Sequence, residues 1–313
     1  MIILLYLVIL KLNILVIFST LNALDFQKKF HDTNSCLEYL AKMKWKNGYT
    51  CRRCGWKKFT KGYIPYSKRC QCCHYDETPT AHTMFHKLKF SLPKAFYGVF
   101  RYCRKKGMSS YELSKEMDIS QKTAWLFHRK IQQAMASSGK YPLTGEVHVD
   151  EFVTGGPEKN LRGRSYGAKK KSLIMMEVIA GNKTGRIYCR KIDNYKKESI
   201  YPIIEQTVDK SSKVVTDEFP TYDKLKVLFP KAKQRRSAYG SGFPTLHQQI
   251  MNLKGWLRGI HHHCSEHHYQ HYLDEFSFRA NRRNTEQGIF RSLMTKITST
   301  KSKTFKELRA FAA

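Results

Sequence analysis

Apolar residues over positions 25–48 recur at helical spacing: Phe26, Phe30, Leu37, Leu40 and Met43, with Asp32, Thr33 and Asn34 able to cap a helix start. A short helical lead-in is therefore expected there. A second helix opens at Leu92-Pro93-Lys94 and carries Phe96, Val99, Phe100, Tyr102 and Cys103. From Ser109 a capped helix turns Leu113 and Met117 inward, Asp118-Ile119-Ser120 makes a short turn, and a further helix runs through Trp125, His128, Ile131 and Met135. Ser120 caps that helix, and Gln121, Lys122 and Thr123 occupy its first turn. This is the length and order of a helix-turn-helix, whose second helix enters the major groove; an ordinary helical hairpin shows the same pattern.

The period then changes. Residues 145–152, 172–179 and 186–191 read as strands, 198–208 as a helix and 214–216 as another strand, which makes an α/β layer with antiparallel and parallel parts. The first strand ends in Asp150-Glu151-Phe152, and the Gly155-Gly156-Pro157 stretch turns the chain away. The same Asp-Glu-Phe recurs at Asp217-Glu218-Phe219 after a short apolar strand. Carboxylates at strand ends are held in fixed geometry, which suits hard divalent cations, and two such ends can share a metal pair. After Pro230 the chain is basic and loop-like to Pro244. A helix then follows, with Ile250, Leu253 and Leu257 inward. His247 and Lys254, seven apart, share a face from which Asn252 is offset.

Charge adds a partner. Lys and Arg number 56 against 25 Asp and Glu, an excess of 56 − 25 = +31, beyond what solubility needs and suited to a polyanion, with DNA or RNA ahead of a membrane surface. Hydrophobic residues at 41% and aromatics at 13% still allow a packed core, which excludes a disordered basic tail. Residues 162–171 form a basic loop beside the first acids, containing Arg162, Arg164, Lys169 and Lys170, where a phosphodiester backbone would lie. Glu275, Arg279 and Arg282 fall on one helical face, a pattern that fits an internal ion-pair brace and a DNA-facing stripe equally.

The nine cysteines are odd in number and clustered, which argues for reduced thiols binding a metal rather than a disulfide framework. Cys51-x-x-Cys54 and Cys70-x-x-Cys73, separated by 15 residues, set four thiolates for one structural zinc, with Cys72 a spare thiol and His74 an alternative ligand. Arg52, Arg53, Lys57, Lys58, Lys61, Lys68 and Arg69 would give such a ribbon a DNA-facing surface. His261-His262-His263 invites a metal reading, although three adjacent histidines do not point one way.

Residues 1–23 are almost wholly apolar apart from Lys11 and Asn13. Zinc-thiolate chemistry and the charge excess argue for the cytoplasm, in association with the nucleoid, so this stretch is expected to be an upstream-start extension. A membrane anchor is the alternative.

The ordered set resembles a family. A Cys-x-x-Cys ribbon leads into Pro79-Thr80-Ala81-His82-Thr83-Met84-Phe85-His86, a helix-turn-helix, Val149-Asp150-Glu151, a Gly-Gly turn and Thr216-Asp217. Asn252-Leu253-Lys254-Gly255-Trp256-Leu257-Arg258-Gly259-Ile260-His261-His262 and Tyr272-Leu273-Asp274-Glu275-Phe276-x-Phe278-Arg279-x-Asn281-Arg282 complete it. Together they resemble the bacterial insertion-sequence DDE transposases related to Merlin elements, which carry an ISXO2-like transposase domain. The resemblance implies an α/β fold with a ribonuclease-H-like mixed sheet flanked by helices, preceded by the zinc ribbon and the helix-turn-helix. It implies two Mg²⁺ or Mn²⁺ ions, double-stranded DNA (element ends and target) as partner with no small-molecule substrate, and a homodimer or higher multimer. Asp150 and Asp217 take the first two acidic positions. Many relatives place Glu seven residues before the lysine matched by Lys254, where this chain has His247; other branches use Asn, for which Asn252 is the candidate.

The expected organisation is an extension at 1–24, a zinc-ribbon region at 25–86, a helix-turn-helix region at 87–140, a catalytic domain at 141–290 and a basic tail at 291–313. The candidate DNA contacts are Arg52, Arg53, Gln121, Lys122, Thr123, Arg162, Arg164, Lys169, Lys170, Arg258, Arg279 and Arg282. A zinc-ribbon regulator without catalysis and a structure-specific nuclease of the same fold are the rival readings.

Overall fold

The computed structural model describes residues 22–104, 106–137, 139–156, 169–261, 264–283, 286–300 and 307–308. The apolar stretch up to residue 21, Arg162 and Arg164, and His262 and His263 lie outside the described residues. The chain falls into two compact units, one formed by Met1–Ala134 with Arg282–Phe305, the other by Met135–Asn281 with Lys306–Ala313.

In the first unit the lead-in is two helices rather than one, α1 (Ala23–Lys29) and α2 (Thr33–Lys44). The break falls where Asp32 starts a capping box: its carboxylate accepts from Ser35 N at 2.8 Å, and Ser35 Oγ accepts from Asp32 N. Phe26 stacks on Phe100 with ring centroids 4.4 Å apart, and Phe30 packs on Phe96 at 5.0 Å. A small antiparallel sheet follows, β1 (Phe59–Lys61), β2 (Lys68–Cys70) and β3 (Asp76–Glu77). The Lys44 ammonium and the Glu77 carboxylate, both almost fully buried and 2.7 Å apart, tie the end of α2 to β3.

Helix α3 (Leu92–Tyr102) meets α4 (Ser110–Met117) and α5 (Gln121–Met135). Their approach passes over Gly98, where a Cβ would lie 2.8 Å from Met117 Sδ and 3.0 Å from Phe127 Cε1, so only glycine fits. Arg101 clamps Glu116 through two hydrogen bonds of 2.6 and 2.5 Å. Ser109 and Glu112 form the expected capping box of α4, and Asp118 closes it in the left-handed region (φ 48°).

The second unit is a five-stranded mixed sheet ordered β6-β5-β4-β7-β8: β4 (Glu146–Thr154), β5 (Lys170–Ile179), β6 (Lys183–Ile192), β7 (Lys213–Thr216) and β8 (Lys233–Gln234). The first three strands pair antiparallel, whereas β7 and β8 run parallel to β4. Helix α6 (Lys197–Thr207) connects β6 to β7, and α7 (Pro244–Ile260) and α8 (Tyr269–Ala280) follow. Both faces are covered, which explains why β5 reads as an unbroken apolar run. Ile200, Ile204, Tyr222 and Leu225 cover Val147, Val149, Leu173 and Met175. Leu246, Ile250, Leu253 and Leu273 cover Phe152, Ile174, Met176 and Val215.

Strand β4 runs past the expected end at Phe152, its pairing with β5 reaching Thr154↔Lys170, so Asp150 lies within the strand on that side. Strand β8 was not visible as a strand because both of its residues are exposed and polar. The chain then returns to the first unit as α9 (Glu286–Ser299). A basic tail from 291 is therefore corrected: Ile289, Phe290, Leu293, Met294 and Ile297 fall at helical spacing and are buried.

Candidate active site and metal centre

The two Cys-x-x-Cys turns are the same structure used twice. Cys51 N donates to Trp56 O and Gly55 N to Cys51 O, at 2.8 and 2.9 Å; Cys70 N donates to Tyr75 O and His74 N to Cys70 O, at 2.9 and 3.1 Å. Gly55 (φ 76°) and His74 (φ 55°) hold the equivalent left-handed position, so His74 is the turn residue of its knuckle rather than a fourth ligand. Cys51 Sγ lies 3.6 Å from Cys73 Sγ and Cys54 Sγ 3.5 Å from Cys70 Sγ, with all four sulfurs within 4.8 Å of one another. A tetrahedron with Zn–S bonds of about 2.3 Å has S–S edges of about 3.8 Å, so the four thiols could bind a structural zinc with little movement. Their acidities fit the same picture. Burial works against the Cys51 thiolate, but the N–H groups of Cys54 and Arg53 and the neighbouring thiols bring it down to about 6. At Cys54 the Trp56 N–H favours the thiolate, while burial and the other three cysteines push it up to about 12. Four adjacent thiolates need a cation to coexist. Cys72 is exposed and stands outside this set.

The acids of the second unit lie where the parallel ladder stops. The last β4–β7 pair is His148↔Val215, and two further residues bring Asp150 level with Asp217, just beyond the end of β7. Alternation along β4 turns Asp150 to the α7 face, with His148 and Phe152, and turns Glu151 to the opposite face. Glu151 accepts a hydrogen bond from the buried Tyr222 hydroxyl. Tyr222 titrates far above a normal tyrosine because of burial first, then the charges of Glu151, Asp150 and Asp217 around it.

Helix α7 supplies the opposing side chains. His247 Nε2 lies 3.4 Å from Asp150 Oδ2 and makes no hydrogen bond among the described residues. Burial, then Lys254, lower the His247 pKa against the pull of Asp217, which leaves a neutral imidazole with a lone pair at neutral pH. The ring rests on Gly240 (φ 96°), where a Cβ would lie 3.2 Å from it. Two turns further along the same face of the helix, Lys254 has its pKa lowered by burial first and by Arg258 and Lys169, with Asp150 opposing. Asn252 instead points to solvent and accepts from Gln248 Nε2 at 3.0 Å. Of the two candidates for the third position, the structure brings His247 to the acids and leaves Asn252 outside. Asp150, Asp217 and His247 do not close within 4.8 Å of one another as the thiols do.

A cleft of about 760 Å³ opens beside Lys254, with Lys169, Lys170 and Arg258 on its rim and Val153, Met251 and Leu257 among its walls. Gln121 and Lys122 are exposed at the start of α5, and Thr123 bonds its cap, Ser120. Arg53 is exposed, while Arg52 leans 3.2 Å from Glu77. Of the two readings that its spacing allows, Arg279 shows the ion pair: its guanidinium lies 2.7 Å from the buried Glu275 and is only 10% exposed. Arg282 donates to Ser292 Oγ at 3.0 Å. His261 is buried, 3.9 Å from Glu275. Tyr222, which lies against the acids, carried no signal in the sequence that separates it from an ordinary core aromatic.

Residues 142–281, the segment that contains Asp150, Asp217, His247 and Lys254, match the ISXO2-like transposase domain family. Most of the second unit lies within this match, and that family implies a DNA substrate and divalent metal use. A protein of Halobacterium salinarum, described as an uncharacterized protein in transposable element ISH50, is 26% identical over 212 residues, covering 63% of this chain and 71% of that relative.

Proposed function

We propose that the chain is a DNA transposase of the DDE class that binds the ends of its own mobile element, cleaves them and joins them to target DNA. The observation that carries this reading is the convergence of Asp150 and Asp217, from adjacent parallel strands, on His247 of α7 within a transposase-family domain. The mixed sheet, three antiparallel strands followed by two parallel ones with helices on both faces, supports a ribonuclease-H-like assignment.

Asp150, Asp217 and the His247 imidazole are the residues that would hold two divalent cations, Mg²⁺ or Mn²⁺. When bound there, such ions lower the pKa of the attacking oxygen and neutralise charge on the leaving oxygen. Lys254 and the rim residues Lys169, Lys170 and Arg258 hold non-bridging phosphate oxygens and so fix the scissile strand in line. Tyr222 donates to Glu151 and keeps that carboxylate on the far face of β4, which leaves Asp150 as the acid facing the substrate. In the first unit the capped α4 and the exposed Gln121 and Lys122 of α5 support a helix-turn-helix that reads the duplex. Bringing two ends together requires a dimer or higher multimer.

The test is to incubate the purified protein, divalent metal and labelled duplexes carrying the termini of the element. Asp150→Asn and Asp217→Asn each abolish cleavage and joining while duplex binding stays unchanged. Strand transfer by either variant would overturn the assignment. Cutting without joining by the wild type selects a nuclease, and binding alone selects a regulator.

A further inference from the structure

The tip of the cysteine ribbon carries an aromatic surface that nothing above uses. Between β1 and β2 the chain runs Gly62-Tyr63-Ile64-Pro65-Tyr66-Ser67, and Tyr63 is 83% exposed, Ile64 46% and Tyr66 41%. Large apolar side chains displayed together on a turn need a reason, because burying them is worth a few kcal/mol.

This turn is not a slack loop. Gly62 N donates to Ser67 O at 3.1 Å, Ser67 N and Ser67 Oγ both donate to Ile64 O at 2.9 and 2.7 Å, and Tyr63 N donates to Asp76 Oδ2 at 2.9 Å. A Cβ on residue 62 would lie 2.2 Å from Ser67 Oγ and 2.3 Å from Asp76 Oδ1, so glycine is required for the close approach that pins the tip. The rings are therefore held out into solvent by a preformed scaffold, with little ordering left to do on binding.

Charge identifies what the tip faces. Arg52, Arg53, Lys57, Lys58, Lys61, Lys68 and Arg69 lie between Cys51 and Tyr75, and no acid occurs in that span. The Arg69 guanidinium sits 5.2 Å from the Tyr63 ring centroid, a stacked cation beside an open ring face. Cations repel a basic partner, and a purely apolar partner gains nothing from them. A duplex offers phosphates but hides its base faces. Unpaired nucleotides offer both phosphates and stackable π-faces.

We infer that the ribbon tip is a binding site for unpaired nucleotides of single-stranded DNA: bases stack on Tyr63 and Tyr66, and Lys57, Lys58 and Lys61 hold the adjoining phosphates. The inference deepens the DNA-binding reading and rests on it, but not on the acids of the second unit.

The full-length, zinc-loaded protein is titrated by fluorescence anisotropy with labelled oligothymidine, an abasic strand of equal length and a duplex. Wild type binds oligothymidine about tenfold more tightly than the abasic strand, in line with one or two stacked bases. Tyr63→Ala removes that preference and leaves duplex binding unchanged. Its ring is exposed, so the fold is not at risk. Tyr141→Ala, an exposed ring of the second unit, keeps the preference. Lys57→Ala with Lys58→Ala weakens binding to both strands equally. Equal wild-type affinity for thymidine and abasic strands, or a preference that survives Tyr63→Ala, overturns the inference while duplex binding keeps the broader reading. Loss of all DNA binding by the wild type overturns both. A Tyr63→Ala variant whose only change is its sedimentation behaviour makes the tip a contact between copies and overturns the inference as well.

Discussion

In the proposed active site His247 sets the metal preference, because it stands where the family resemblance places a carboxylate. A neutral imidazole 3.4 Å from Asp150 offers a lone pair but no charge. Nitrogen donors suit Mn²⁺ better than Mg²⁺, which prefers oxygen and charge. The protein is therefore expected to bind Mn²⁺ at least about tenfold more tightly than Mg²⁺. His247→Glu narrows the gap by strengthening Mg²⁺ binding, and Asn252→Ala leaves both affinities unchanged. Isothermal titration of each ion into wild type, His247→Glu, His247→Ala and Asn252→Ala measures this without relying on turnover. Equal Mn²⁺ affinity in wild type and His247→Ala would remove His247 from the ligand set. The family resemblance narrowed this position to two residues and no further, since the glutamate of many relatives falls at His247 and the asparagine of other branches at Asn252. Only the turn of the helix, with Asn252 bonded to Gln248 in solvent, separates them.

Among the elements, the strands were legible because their apolar positions are dictated by the layers on either side, and each boundary falls within a few residues of the expected one. What was not legible depends on partners distant in sequence. Strand β8 is a two-residue exposed addition to β7, and α9 hid its apolar stripe inside a strongly basic stretch. The Glu177 brace belongs to the same class. The β5–β6 register shifts between Met176 and Val178, and at this bulge Glu177 turns its carboxylate to the Thr144 and Arg186 N–H groups at 2.9 and 3.0 Å. The Arg186 guanidinium adds a contact of 2.5 Å and reaches on to Pro142 O at 2.8 Å. Burial raises the Glu177 pKa, but Arg186 and the two N–H groups outweigh it, so the net shift is downward from 4.5. A carboxyl with a lowered folded-state pKa stabilises fully above its unfolded value and loses that contribution as pH falls through the folded one. Glu177→Gln is thus expected to cost about 1–3 kcal/mol at neutral pH, with Arg186 partly hydrated. The gap to wild type should shrink only below about pH 4.5. Urea midpoints across pH check it, and a gap that already closes between pH 7 and 5 would reject the brace.

At the scale of the whole molecule, the two units have separate sources of stability. The second is held by apolar layers on both faces of a sheet. The ribbon of the first has a core cluster limited, among the described residues, to Tyr49, Cys51 and Cys70 with their neighbours, small for a unit held by apolar packing alone, and four thiols that could bind zinc. Chelation is expected to raise amide exchange over residues 49–77 while leaving β4, β5 and β6 protected, as read by hydrogen-exchange mass spectrometry. Unchanged exchange in the ribbon would mean the thiols hold no structural ion.

Under the proposed function, the net charge of +31 governs how the protein meets DNA. Each phosphate neutralised by Lys or Arg releases condensed counterions, so the logarithm of affinity falls with the logarithm of salt by about 0.9 per contact. With Lys169, Lys170, Lys254 and Arg258 of the second unit each neutralising one phosphate, the slope is about 3.6, and affinity drops on the order of 10²-fold between roughly 50 and 200 mM salt. Replacing Lys170 with alanine should lower the slope by about one while changing affinity for specific and random duplexes alike. A slope near zero would mean that the positive charge serves the protein's own solvation and not a polyanion. A slope that survives intact in Lys170→Ala would place the duplex away from the cleft beside Lys254.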